Sequence, residues 1–262
     1  MSVEWNDVQK ALLPIKSYQD LCLRWQESLG YMVVRTAYNF SVSELVEYTH
    51  RCLGGDTRSR YAEYEAMLVR ILNEMDRVGV QNILYLAEKI AVLDGFEHLT
   101  DQSGLSAHEI AAALKYLTYW FIPINKPLHS LVRDDPVVLN AVKLLREMGI
   151  RSNLDLLERG NTPAGRQALV KDSGLPGIVV LELVNRADFS RLPWASKATI
   201  SNIIGAGYGS LAQLAGADPQ QLFQDFYRYG QSIGKNLKLG NEIDNSQRIA
   251  KLIPVIFQEE SM

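Results

Sequence analysis

Histidine and cysteine side chains are the first candidates for chemistry in this 262-residue chain. The chain has four histidines and two cysteines: His50, His98, His108, His129, Cys22 and Cys52. None of them stands in the HExxH, HxH or CxxC spacing that places two metal ligands together. The sequence therefore predicts no metal site and no cofactor. No nucleophile, base or carboxylate pair is arranged for catalysis, so we expect a protein that is not an enzyme.

Positive charge that can hold a phosphate backbone is only weakly concentrated. The chain carries 27 lysines and arginines against 30 aspartates and glutamates, and its formal net charge of -3 excludes a polycation. Residues 181–251 are slightly basic, with eight cations against six acids. An aromatic run at 226–229, followed by two lysines, has the composition of a surface that stacks single-stranded bases. Helical spacing instead favours core positions for Phe223, Phe226 and Tyr227.

A second aromatic cluster contains Tyr116, Tyr119, Trp120 and Phe121. Residues 116–125 carry no charged side chain, which is typical either of a protein core or of a buried subunit interface. The core interpretation is favoured. The interface interpretation would make these four residues the contact of a homo-oligomer.

Helical signals dominate the elements that must position these side chains. Ser41 with Glu44 and Ser106 with Glu109 have the spacing of the capping box at a helix start. Thr162 and Asp218 each precede a proline, which is favoured at the first helical position. Glycines 79, 149 and 207 stand where helices are expected to end. Residues 31–38 are the one plausible strand, and we interpret them as helix, so the predicted class is all-α.

The length fits one large domain or two smaller ones. Prolines at 123 and 127 break the helical pattern, and we place the domain boundary near residue 130. The expected organisation is an N-terminal helical domain over residues 1–130 and a repeat domain over residues 131–262. A first copy of the repeat is expected inside the N-terminal domain, from about residue 79.

The repeat is visible when the chain is aligned with itself at an offset of 70 residues. Residues 79–123 then match residues 149–193 without a gap, with ten identities in 45 positions, where unrelated sequences give about three. The identities include Gly79/Gly149 and Gly95/Gly165. The pattern predicts a repeated pair of helices joined by glycine turns, which is either a pure packing unit or a binding scaffold.

Residues 149–222 resemble a known bacterial family. The residues that carry the resemblance are Gly149-Ile150, Asn153 to Glu158, Thr162 to Arg166, Ser173 to Leu175, Val184 to Leu192 and Ala206 to Tyr208. The family is catalogued only as a domain of unknown function, number 4332, and it is similar to tandem helix-hairpin-helix modules. The resemblance implies helix-hairpin-helix-like repeats in the second domain.

A helix-hairpin-helix that binds nucleic acid uses glycines to bring backbone N–H groups against a phosphate at a helix N-terminus. Here residues 192–198 read Leu-Pro-Trp-Ala-Ser-Lys-Ala, so both glycines are replaced while a lysine remains. The loss of both glycines weakens the case that this hairpin binds nucleic acid. The residues that would carry it are Arg186, Arg191, Trp194, Ser196 and Lys197.

The favoured function is therefore recognition of a protein partner or self-association through the repeat scaffold. Nucleic-acid binding through the hairpin at Pro193 to Lys197 is the alternative. No stretch of about 18 to 20 apolar residues indicates a membrane span. The N-terminal residues lack the basic and apolar pattern of a signal peptide, so the expected location is the cytoplasm.

Overall fold

The computed structural model describes residues 3–54, 59–132, 136–193, 195–237 and 241–258. It divides the chain into two compact units, residues 1–122 and 123–262. The described part of the chain is built from α-helices and one 3₁₀ helix, with two isolated β-bridges and no longer strand, so the all-α prediction is confirmed.

The first unit contains eight helices. They are α1 (Trp5–Leu12), α2 (Tyr18–Leu29), α3 (Met32–Ala37), α4 (Val42–Leu53), α5 (Ser59–Arg77), α6 (Ile83–Ile90), α7 (Leu93–Ser103) and α8 (Ala107–Trp120). Helix α8 is central, because it packs against α1, α2, α5 and α7. Its Thr118 hydroxyl accepts the indole N–H of the buried Trp25 over 2.7 Å. Residues 31–38, the one plausible strand, form α3 and its flanking residues, as predicted.

The second unit begins with a 3₁₀ helix at Leu128–Leu131. Eight helices follow: α9 (Pro136–Glu147), α10 (Asn153–Gly160), α11 (Pro163–Ser173), α12 (Gly177–Phe189), α13 (Lys197–Gly205), α14 (Leu211–Gly216), α15 (Pro219–Ser232) and α16 (Asn241–Ala250). Helix α12 is the centre of this unit and packs against α9, α10, α11, α14 and the 3₁₀ helix. Its apolar residues Val180, Leu183, Val184 and Ala187 are almost completely buried.

The helix starts follow the predicted side-chain caps. Ser41 and Ser106 form complete capping boxes with Glu44 and Glu109, in which each hydroxyl accepts an N–H and each carboxylate accepts the cap N–H. The hydroxyl of Thr162 caps α11, and the carboxylate of Asp218 caps α15 in the same way. These bonds satisfy backbone N–H groups that a helix leaves without an internal partner.

The same succession of helices and turns occurs in both units. Helices α6 and α10 begin and end 70 residues apart, as do α7 and α11, and α8 and α12 begin 70 residues apart. Gly79 and Gly149 have φ values of 87° and 83°, in the left-handed region that favours glycine. At each turn the residue after the glycine donates its N–H to a carbonyl five residues earlier, over 3.0 and 2.9 Å. This is the Schellman pattern of a helix end.

The boundary between the units lies at residues 122 and 123, before the position near 130 that the sequence favours. The difference has a structural reason. The N–H of Lys126 donates to Asn153 Oδ1 over 2.7 Å, and the N–H of Leu128 donates to the Arg151 carbonyl over 3.0 Å. These bonds fix residues 126–128 to the start of α10, so the segment that follows Pro123 belongs to the second unit.

Candidate functional site

The hairpin predicted for phosphate contact connects α12 to α13. The Leu192 N–H donates to the Phe189 carbonyl over 3.0 Å, and the Ala195 N–H donates to the Leu192 carbonyl over 3.1 Å. These two bonds close a tight turn without the glycines of a phosphate-binding hairpin. Trp194, one of the predicted contacts, lies outside the described residues.

Two predicted contacts stand at the start of α13. The Ser196 hydroxyl is the N-cap and accepts the Thr199 N–H over 3.1 Å. Lys197 occupies the first helical position, and both Ser196 and Lys197 are exposed. A cap that already holds a helix N–H is committed to the fold, so the exposed ammonium of Lys197 is the available charge at this end of α13.

Arg186 is placed differently from the prediction. Only 8% of this residue is exposed, because its guanidinium points into the unit. It pairs with Glu182 one turn earlier, with an Nη2 to Oε1 distance of 2.8 Å, and donates to the Leu131 carbonyl and the Ser201 hydroxyl over 3.3 Å. Its donors hold α12, α13 and the 3₁₀ helix together, and this burial disfavours the predicted contact of Arg186 with nucleic acid, which stays a prediction.

Arg191 is also a structural cation. It is 5% exposed and forms an ion pair with Asp188, which is 3% exposed, at 2.5 Å between Nη2 and Oδ1. Its Nη1 donates to the Pro254 carbonyl over 2.7 Å. Burial raises the pKa of Asp188, and the adjacent guanidinium offsets part of that effect. Because these partners and the surrounding residues enclose the guanidinium, the structure disfavours a phosphate contact of Arg191, and that role stays a prediction.

A third cation, the partly buried Lys126, contacts the inner side of the hairpin. The ammonium of Lys126 donates to the carbonyls of Ser190 and Ala195, over 3.1 and 3.0 Å. Asn153 lies beside it, fully buried, and donates to the Ile124 carbonyl and the Ser190 hydroxyl over 3.0 and 2.8 Å. Burial lowers the pKa of Lys126. The hairpin is thus fixed from inside by Lys126 and Asn153, a structural role that the sequence did not predict for them.

Helix α15 carries two large aromatic side chains on its outer face. Phe223 is 49% exposed and Tyr227 is 53% exposed, so the prediction that they lie in the core is wrong. The same prediction is confirmed for Phe226, which is 6% exposed and stacks on Tyr208 with 6.2 Å between ring centroids. The helix packs through Leu222 and Phe226, and Phe223 and Tyr227, four residues apart, lie on the adjacent side of the helix, which is exposed.

The charges around this face are largely compensated. Asp225 accepts the Tyr208 hydroxyl over 3.0 Å and the side-chain amide of Gln221 over 2.7 Å, and it lies 3.6 Å from Arg228. Burial, with Asp225 as the second cause, raises the pKa of Tyr208 to about 12. The face therefore offers aromatic surface without a positive excess.

The second unit contains the segment that matches a family model. Residues 138–253 match a family described as a domain of unknown function, DUF4332. No curated protein and no solved structure matches the chain. The matched segment runs from α9 into the residues after α16, so it includes the hairpin, the buried arginines and the aromatic face of α15.

The interface candidates of the first unit divide into two groups. Tyr116 is 1% exposed and Phe121 is 4% exposed. The ring of Phe121 packs edge-on against Tyr38, Phe40 and Tyr48, with centroid distances of 5.3, 4.9 and 5.0 Å. These two residues belong to the core, the alternative that the sequence favoured, and offer no surface to a partner. Tyr119 and Trp120 are partly exposed and stay candidates.

Two further features that bear on function are clusters of side chains that could bind a metal ion and helices that could cross a membrane. Across residues 3–54, 59–132, 136–193, 195–237 and 241–258, no three His, Cys, Asp or Glu side chains gather into a metal-binding cluster. Within the same residues no helix is both long and apolar enough to span a bilayer. The cytoplasmic location stays a prediction.

A sequence pattern on α15 could have predicted that Phe223 and Tyr227 are exposed. Phe223 and Tyr227 share their helical face with Gln220, Gln224 and Gln231, which recur at intervals of three and four residues. The buried face is instead defined by Leu222 and Phe226. A face on which aromatic residues alternate with glutamines is typical of a surface rather than of a core.

Proposed function

We propose that this protein acts by binding another protein chain, and that its principal contact surface is the aromatic face of α15. We define that face by Phe223, Tyr227 and the exposed glutamines Gln220, Gln224 and Gln231. The observation that carries the proposal is the exposure of 49% and 53% of two large aromatic residues one helical turn apart. The partner inferred from this geometry is a second copy of the chain.

The composition of the face supports a protein partner. Aromatic residues are enriched at the centres of protein interfaces, because they bury much area while losing little side-chain entropy. The surrounding glutamines provide amide donors and acceptors that suit the polar rim of such an interface. A weak, reversible contact is expected, because two aromatic residues with a polar rim form a small patch.

The spacing of the two rings supports self-association. When two copies of α15 pack antiparallel around a twofold axis, Phe223 of one copy meets Tyr227 of the other, and the same pair forms again across the axis. Each ring then packs against a ring of the partner, which adds to the stabilisation from buried area. A single face therefore serves as both halves of the interface.

The buried arginines argue against the phosphate alternative. Arg186 and Arg191 use their donors on Glu182, Asp188 and backbone carbonyls within the second unit. Binding of a nucleic-acid backbone needs several exposed cations in one patch. Of the predicted cations, Lys197 is left at the surface.

Replacement of both Phe223 and Tyr227 by alanine is expected to weaken self-association at least tenfold, because each substitution removes an aromatic contact twice in a symmetric dimer. Sedimentation velocity of the full chain at low and high concentration measures the change. The free energy of unfolding is expected to change little, since both side chains are half-exposed. Ile178→Ala is the matched control, because Ile178 is 75% exposed on α12 of the same unit.

Two results would contradict the proposal. The first is a monomeric wild-type chain at every accessible concentration. The second is an equal loss of association in Ile178→Ala and in the double variant. A mobility shift of single-stranded DNA that Lys197→Ala weakens, in a monomeric chain, would instead support the nucleic-acid alternative.

A further inference from the structure

Residues 253–258 follow α16 and cross the second unit as an irregular, non-helical segment. Ile253 and Ile256 are buried in the unit, with exposures of 9% and 6%. Val255, between them, is 87% exposed. The segment therefore lies in a groove that accepts some of its side chains and leaves others in solvent, as an extended bound peptide does.

The groove holds the backbone of this segment at three points. Arg191 Nη1 donates to the Pro254 carbonyl over 2.7 Å, and Arg166 Nη2 donates to the Gln258 carbonyl over 3.1 Å. The N–H of Gln258 donates to the Asn161 carbonyl over 2.8 Å. Because these bonds reach main-chain atoms, they fit any peptide with the same backbone path.

Side chains add selectivity to this backbone recognition. The ring of Phe257 lies under the guanidinium of Arg166, with 4.5 Å from Cζ to the ring centroid. A cation over an aromatic face is a stabilising contact, and it favours an aromatic residue at this position. Together with the buried Ile253 and Ile256, it defines a pattern: apolar, proline, any residue, apolar, aromatic.

Both anchoring arginines are themselves rigidly placed. Arg166 is 4% exposed, and its Nη1 donates to the Gly160 carbonyl over 3.3 Å at the end of α10. Arg191 is held by the buried carboxylate of Asp188. Donors fixed in this way lose little entropy when a peptide binds, so the groove is preorganised.

Space remains beside the segment. A cavity of about 410 Å³ is lined by Leu211 and Ala215 of α14, by Lys251 and by residues 253–257. Asp188 and Arg191 also line it. The groove is thus wider than its present occupant.

The residues that form the groove lie inside the segment that matches the family, whereas most residues of its occupant lie outside that segment. Asn161, Arg166 and Arg191 lie within the matched residues 138–253, whereas residues 254–258 lie after them. The recognising groups are therefore part of the matched segment, and most of the occupant is not.

We propose that this groove is a recognition site for an extended peptide of a partner protein with the pattern apolar-Pro-x-apolar-aromatic, and that residues 253–258 occupy it within the chain. The groove is separate from the aromatic face of α15 and does not depend on it. An occupant on the same chain has an effective concentration of about a millimolar or more, so a partner peptide must compete with it. Loosening the internal occupant is therefore expected to strengthen peptide binding.

The test uses a fluorescent peptide with the sequence of residues 251–258, Lys-Leu-Ile-Pro-Val-Ile-Phe-Gln, and the full chain. Fluorescence anisotropy measures its affinity for the wild type and for the Ile256→Ala, Phe257→Ala double variant. The double variant is expected to bind the peptide at least tenfold more tightly. Val255→Ala is the matched control, because this exposed side chain makes no demand on the groove, and it is expected to bind like the wild type. A scrambled peptide is expected to show no binding to any of the chains.

Adding Arg166→Gln to the double variant is expected to reduce the peptide affinity at least tenfold, because the carbonyl and ring contacts of the guanidinium are lost. Failure of the double variant to bind the peptide, or binding that Arg166→Gln leaves unchanged, would overturn the proposal. Hydrogen exchange in the wild type provides a test without any variant. The Gln258 N–H is expected to exchange by local opening, faster than the buried amides of α12, and exchange only by unfolding of the whole unit would also overturn the proposal.

Discussion

Asp188→Ala is expected to lower the free energy of unfolding of the second unit by about 3 to 5 kcal/mol. The substitution leaves the guanidinium of Arg191, which is 5% exposed, without its carboxylate partner in the protein interior. The cost of an uncompensated buried charge is much larger than the value of an exposed ion pair. Urea denaturation followed by circular dichroism measures the loss.

The chain offers a matched control in the first unit. Arg77 and Glu74 form an ion pair with the same spacing of three residues, at 2.7 Å, but the Arg77 side chain is 63% exposed. Glu74→Ala is therefore expected to cost no more than about 1 kcal/mol. A loss for Asp188→Ala as small as that for Glu74→Ala would show that Arg191 finds solvent in the folded chain, and would contradict its role as a structural cation.

Gly165→Ala and Gly95→Ala are each expected to destabilise the chain by at least about 1 to 3 kcal/mol, as overpacking substitutions do. A Cβ at Gly165 would lie 2.0 Å from the Arg159 carbonyl oxygen, and a Cβ at Gly95 would lie 2.0 Å from the Lys89 carbonyl oxygen. Both obstacles are backbone atoms, so the corner between the two helices must move to admit a methyl group. Thermal unfolding measures the two losses.

Gly216→Ala is the control for both substitutions. Gly216 is helical, and no atom lies within 4 Å of the added Cβ, so alanine is expected to be neutral or to stabilise by up to about 1 kcal/mol. Similar losses at positions 95 and 165 are expected because the corners of the two units have the same geometry. A neutral result at either corner would contradict that equivalence.

These glycines also explain how much of the fold was accessible from the sequence. Gly95 and Gly165 were found as one of ten identities at an offset of 70 residues, and their identity follows from a backbone contact that excludes any side chain. Caps such as Ser41 with Glu44 were also predictable, because they act over three residues of chain. Patterns that act over a few residues of chain, such as these caps and glycines, were sufficient to predict the helix starts and the all-α class.

Long-range contacts were not accessible in the same way. Arg186 donates to the Leu131 carbonyl and Arg191 to the Pro254 carbonyl, and each partner is more than fifty residues away along the chain. An arginine in a basic stretch has the same local sequence whether it faces solvent or a buried carbonyl. The prediction of surface cations failed for this reason, and the contacts that Lys126 and Asn153 make with the hairpin were not predicted for the same reason.

The exposure of α15 was mispredicted for a different physical reason. Helical spacing shows which residues share a face, but it does not show how much of the helix surface the neighbours cover. Helix α15 contacts α13 and buries Leu222 and Phe226, while Phe223 and Tyr227 stay outside. Only the glutamines on the same face distinguish this arrangement from a fully buried helix.

Site-specific photo-crosslinking tests the central claim most directly. A benzophenone amino acid replaces Tyr227 in the full chain, and in a separate control chain it replaces Ile178, which is also exposed, on α12. We predict a covalent dimer from the Tyr227 position, with the crosslink mapped to α15 of the second copy, and no dimer from the Ile178 position. A Tyr227 chain that stays monomeric under illumination, or one that crosslinks to a different helix, would contradict the assignment of α15 as the contact surface.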